Sequence, residues 1–156
     1  MSRSIRRIAL IAVVWLGPGA VAAQTVLGPG ERPELTIGTD GRGLVAWTDA
    51  GQLRVAHCTD PACSGFTLRS LGSADLVAGA ITDPGGRAVI LYFSAGFVRV
   101  LRCADADCTT GAYSSVAPGT PTGIAIGGDG LPLIAIDDAG VPTIAHCDDA
   151  ACSARP

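Results

Sequence analysis

The sequence has no lysine, two glutamates and two histidines in 156 residues, and each shortage narrows what the chain can do. All 11 basic residues are arginines, and three of them, Arg3, Arg6 and Arg7, stand ahead of the first apolar stretch. The glutamates, Glu31 and Glu34, lie close together near the start of the domain. A glycosidase needs two carboxylates about 5 to 10 Å apart across a cleft, so such a pair would have to come from aspartates, and no aspartate pair is singled out. With two histidines there is no H-E-x-x-H; there is also no G-x-S-x-G elbow and no P-loop. Catalysis is therefore not the expectation. A convincing 3.6-residue apolar period is also missing outside the first residues, so essentially no helix is expected.

The opening residues read as a leader. Positions 8–16 form a nine-residue apolar stretch followed by Gly17-Pro18-Gly19 and Ala20-Val21-Ala22-Ala23. A transmembrane helix needs about 20 residues, whereas small residues after a short apolar stretch suit cleavage just before Ala23 or Gln24. The expectation is a signal peptide over 1–23, one domain over 24–156, and no membrane span after cleavage. Loss of three arginines leaves eight basic against 14 acidic residues, a net charge of −6. Such a surface repels phosphate backbones, so neither nucleic acid nor an anionic membrane is an expected partner. The expected location is secreted, periplasmic or on the cell surface.

What the sequence does have is a repeated unit ending in a cysteine pair: Cys58/Cys63, Cys103/Cys108 and Cys147/Cys152. Equivalent cysteines are 45 and then 44 residues apart, a period that marks stacked repeats. Six cysteines in an exported chain point to disulfides, and the local spacing points to a bridge within each pair. Zinc held by thiolates is opposed by the oxidising compartment. Positions 35–64 and 124–153 align without a gap, matching at Gly38/Gly127, Asp40/Asp129, Ala50/Ala139, Gly51/Gly140, His57/His146, Asp60/Asp149 and both cysteines. The middle unit puts Ser94 in place of the turn aspartate and Arg102 in place of histidine, and it aligns with one inserted residue near Asp83-Pro84-Gly85-Gly86.

Within the first unit, turn residues separate apolar and β-branched runs, predicting strands over 35–38, 44–48, 52–58 and 64–71. Each unit is thus a four-stranded antiparallel meander, with units at about 35–74, 75–119 and 120–156. Strands such as Ala88-Val89-Ile90-Leu91-Tyr92 are apolar on both faces, as a sheet packed between neighbours would be. The pattern Gly130-x-Pro132-x-Ile134, Asp138-x-Gly140, Ala145-His146-Cys147 and Cys152-Ser153 resembles the cysteine-bearing β-propeller repeats of secreted or surface bacterial proteins. The resemblance covers all three units and implies radially arranged sheets; it is silent on activity.

Propellers typically use 4 to 8 blades, so three units raise the question of closure. Residues 25–28 read as a displaced fourth strand that completes the last blade. Alternatives are a homodimer with six blades, a β-trefoil, and a fragment of a longer array. His57, Arg102 and His146 occupy one repeat position and form a candidate ligand rim; their structural reading is a hydrogen bond to the carbonyls of their own hairpin loops. Asp40, Asp49, Asp129, Asp137, Asp138, Asp148 and Asp149 could offer oxygens to calcium, yet no D-x-D-x-D loop with a closing Glu occurs and turn chemistry accounts for most of them. No metal and no cofactor is expected. Asp105 and Asp107 read as solvated, and Trp47, Tyr92 and Phe93 as core between blades. The functional expectation is a non-catalytic binding or scaffold module whose ligand the sequence does not identify, with a glycan or an envelope protein as candidate partners; the alternative is a lectin or glycan-active enzyme using the rim or axis.

Overall fold

In a computed structural model, the described residues are 24–153, so the expected leader lies outside them. The chain is all β. Its strands are β1 (Glu31–Ile37), β2 (Gly43–Asp49), β3 (Gln52–Cys58), β4 (Phe66–Ser73), β5 (Leu76–Thr82), β6 (Ala88–Ser94), β7 (Phe97–Cys103), β8 (Gly111–Pro118), β9 (Thr120–Ile126), β10 (Pro132–Asp138) and β11 (Val141–His146). They form three antiparallel meanders in sequence order: β1-β2-β3-β4, β5-β6-β7-β8 and β9-β10-β11. No closed barrel of the kind the β-trefoil alternative requires appears among the described residues.

Local chemistry explains the meander. The second hairpin of each unit turns through Ala50-Gly51, Ala95-Gly96 or Ala139-Gly140, and all six residues have φ between 49° and 85°. Two successive positive φ values match the right-handed twist of the flanking strands. Glycine reaches that region freely, while alanine is held there by the strands. The first hairpin has a five-residue turn in every unit, closed by Ile37 opposite Gly43, Thr82 opposite Ala88 and Ile126 opposite Pro132. The middle unit therefore carries no inserted residue there. Asp83 instead stands where the other units have Gly38 and Gly127, donating its backbone N–H to Arg87 as they do to Arg42 and Leu131.

The sheets stack through apolar faces, and the middle one is buried on both. Leu44, Ala46, Leu53 and Val55 of the first sheet pack against Ile90, Tyr92, Leu101, Cys103 and Cys108 of the second. Val89, Leu91, Val98 and Val100, on the second sheet's other face, pack against Ile134, Ile136, Cys147 and Cys152 of the third. That two-sided burial is why β6 reads as a continuous apolar run. Contact between sheets is densest where β1 meets β5 and β5 meets β9, and thins toward later strands.

Two expectations need correction. Residues 24–30 are not a strand, and the third sheet ends at β11, so the amino-terminal segment does not complete that sheet within the described residues. It lies on the first sheet instead: Trp47 Nε1 donates to the Pro29 carbonyl at 2.9 Å, and Thr25 Oγ1 to the Cys63 carbonyl at 2.7 Å. The first strand also begins earlier than expected. A bulge between Glu31 and Glu34 lets the charged stretch Glu31-Arg32-Pro33-Glu34 keep pairing with β2.

Candidate functional site

Each unit holds one polar side chain at the end of its third strand, and each meets a carboxylate from its own first turn. His57 Nε2 lies 3.1 Å from Asp40 Oδ2, Arg102 Nε donates to Asp83 Oδ2 at 2.6 Å, and His146 Nε2 lies 2.7 Å from Asp129 Oδ2. These partners are turn carboxylates, not the hairpin-loop carbonyls that the repeat pattern suggested. The carboxylate also ties its turn, accepting from the backbone N–H of Arg42, Arg87 or Leu131 at 2.9 to 3.0 Å. The middle unit makes the same lock from different letters. A Cβ on Gly38 or Gly127 would come within 2.7 or 2.8 Å of the Asp40 or Asp129 Oδ1. The first turn position and the aspartate two residues later thus address the same space, and Asp83 fills it directly.

The three locks differ in burial. His57 is 5% exposed, Asp83's side chain 1%, and His146 and Asp129 are about half exposed. His57 has a second partner across the sheet boundary, because its Nδ1 lies 2.7 Å from Asp107 Oδ1, which also accepts from Thr67 Oγ1 at 3.3 Å. Asp107 is about half exposed, as a solvated loop residue would be, and it also joins the second cysteine loop to the first sheet. A cavity of about 40 Å³ beside His57 has room for water, not for a metabolite.

The cysteine pairs are bridged as expected: Cys58–Cys63, Cys103–Cys108 and Cys147–Cys152, each with its Cα atoms 4.8 Å apart. Inside each loop one aspartate gathers the hydrogen bonds. Asp60 accepts from the backbone N–H of Ala62 and Ser64 and from the Ser64 hydroxyl. Asp105 accepts from the Thr109 N–H and hydroxyl. Asp149 accepts from Ala151 N–H, Ser153 N–H and, at 2.5 Å, the Ser153 hydroxyl. The signal was present in the sequence as Cys-x-Asp-x-x-Cys-Ser/Thr in each pair, with Asp60 and Asp149 matched in the gapless alignment and Asp105 at the same place in the middle unit.

These bonds have an acid signature. Asp60 is held below the ordinary carboxylate range chiefly by the Ser64 hydroxyl, Asp105 by the Thr109 hydroxyl, Asp107 by His57 and Asp129 by the Leu131 N–H. A carboxyl whose folded-state pKa is depressed stabilises the fold above its unfolded value and ceases to do so as pH falls through the folded value. The thermal midpoint should therefore be nearly level from pH 7 to 5 and fall below about pH 4. Asp105→Asn should lower the plateau and flatten the fall. A midpoint as high at pH 2 as at pH 6 would remove this account.

One open cavity, of about 420 Å³, collects Glu31, Asp49 and Asp75 around Gly30 and Thr48. Two of its three carboxylates are engaged: Asp49 accepts from Arg54 at 3.2 Å, and Asp75 from the Ala95 N–H at 3.1 Å. Among the described residues, no group of three or more His, Cys, Asp or Glu side chains could hold a metal ion, and no helix is long and apolar enough to cross a membrane. Asp137 accepts from the Gly140 N–H at 2.6 Å, as turn chemistry requires. Trp47 and Tyr92 are buried and Phe93 half-buried. Comparison with protein-family models, curated proteins and solved structures finds no match.

Proposed function

We propose that this chain is an exported, non-catalytic binding or scaffold module of β-propeller type, working outside the cytoplasm. The observation that carries the reading is how the repeated polar positions are used. His57, Arg102 and His146 each face the carboxylate of their own turn, so the most distinctive polar feature of the repeat holds the unit together. The propeller assignment draws on sheets whose first strands lie against one another while later strands diverge, as blades do around an axis. Three bridges suit an oxidising compartment.

A second reading, a lectin or glycan-active enzyme, is favoured by the acidic cavity around Glu31, Asp49 and Asp75. Glycan arrays together with a panel of chromogenic glycosides separate the two. The module reading expects no turnover of any glycoside. Turnover that is lost in Glu31→Gln would replace it with an enzyme, and glycan binding that is lost in the same variant would place a lectin site in that cavity.

A further inference from the structure

The two internal interfaces are copies of one another, and the parts of a third are present on the same chain, facing outward. Leu133, Ala135 and Ile144 sit where Leu44, Ala46 and Val55, then Val89, Leu91 and Val100, sit in the earlier sheets, and those earlier sets are buried by the sheet that follows. In the third sheet they border an open apolar hollow of about 220 Å³, with Ile144 76% exposed.

The complementary surface is on the first sheet. A Cβ on Gly30 would run into Trp47 and the Thr48 carbonyl, as one on Gly119, 89 residues later, would run into Ile136 and the Asp137 carbonyl. Thr25 donates to the first cysteine loop as Ser114, also 89 residues later, donates to the third. Residues 25–30 thus lie on the first sheet as the end of β8 lies on the third. They occupy the place of the fourth strand of a sheet on the far side of the first, and among the described residues β9-β10-β11 is a sheet of three strands.

One pair of positions fixes the register. Gly79 of the second sheet has Ile124 of the third seated over it, its Cγ2 2.7 Å from where a Cβ would be. Strand pairing makes Gly123 the counterpart of Gly79 and Leu35 the counterpart of Ile124. Gly123 has nothing within 4 Å of its Cβ position, and Leu35 is 61% exposed. The socket and its plug are both free.

We infer that the open face of the third sheet docks on the first sheet of a second copy of this chain, with Leu35 of that copy over Gly123 and its residues 25–30 beside β11. The contact is heterologous, so it must either close into a ring or extend indefinitely. Propellers typically hold 4 to 8 blades, and with the three sheets of the described residues per copy six is the only multiple in that range, so two copies close the ring.

Sedimentation equilibrium of the oxidised protein tests this. The expected mass is that of two chains. Gly123→Arg and Leu35→Arg each place a charge where the contact is apolar, and each should raise the dimer dissociation constant at least about tenfold, the low end of what burying one leucine is worth. Gly123 has open space at its Cβ position and Leu35 is mostly exposed, so the circular dichroism spectrum of each variant should match the parent's. A monomer at high micromolar concentration, an open-ended polymer, or a dimer that fewer than both substitutions weaken would overturn the inference.

Discussion

Arg102→Ala should destabilise the protein by about 3 kcal/mol, the low end of what breaking a buried ion pair costs. The size follows from what is left behind. Asp83 is buried, and without the guanidinium its carboxylate keeps only the Arg87 N–H at 2.9 Å as a donor. Arg102 is about one-third exposed, so water can reach the vacated space, which argues against the upper end of the range. A sharper test converts the lock instead of breaking it. Replacing Asp83→Gly, Gly85→Asp and Arg102→His together writes the glycine, aspartate and histidine of the outer units into the middle one. The first-turn length is already the same, and the groups nearest a Cβ on Gly85 are the Asp83 and Arg102 side chains that the exchange removes. The triple variant should recover stability to within about 1 kcal/mol of the parent. Urea unfolding with unchanged slope is the measurement. An Arg102→Ala variant as stable as the parent would mean that the pair is decorative.

This exchange also marks where the sequence stopped being legible. Period, bridges, strand order and hairpin turns could be read because each depends on residues within about ten positions of one another. Gln52–Cys58 is a strand with the expected bounds. The lock of the middle unit could not be read, because an alignment that matches letters treats Asp83-Pro84-Gly85-Gly86 as an insertion. The backbone instead keeps the turn length and moves the carboxylate by two positions. Asp107 was hidden for another reason: its partner His57 is 50 residues away in a different unit, and nothing local records which loop tip meets which neighbouring strand. The expected first strand began at 35 and left out Glu31-Arg32-Pro33-Glu34, where charge and proline disfavour strands. A bulge with Arg32 at φ 52° accommodates both without ending the ladder.

Full reduction should unfold the domain near ambient temperature, and the middle bridge should account for the largest single share. Closing a ring of about six residues is worth about 2 kcal/mol in the chain-entropy model, so three bridges together contribute about 6 kcal/mol, comparable with the whole stability of many domains. Within that total the bridges are not equal. Cys103 and Cys108 are fully buried in the cluster between the first two sheets, whereas Cys147 and Cys152 keep a little exposure. The middle loop also carries Asp107 to His57 and Thr67, so freeing it loosens the junction with the first unit as well as its own ring. Cys103→Ala with Cys108→Ala should therefore cost about 3 to 4 kcal/mol, within the range for native bridges of small domains, and Cys147→Ala with Cys152→Ala about 2 kcal/mol. Hydrogen exchange distinguishes this from uniform loosening. In the middle variant, amides of β2 and β3 should lose protection along with those of β7, while in the third-bridge variant the loss should stay in β10 and β11. Equal costs with protection lost evenly across all three sheets would refute the claim that the middle loop couples its unit to the first.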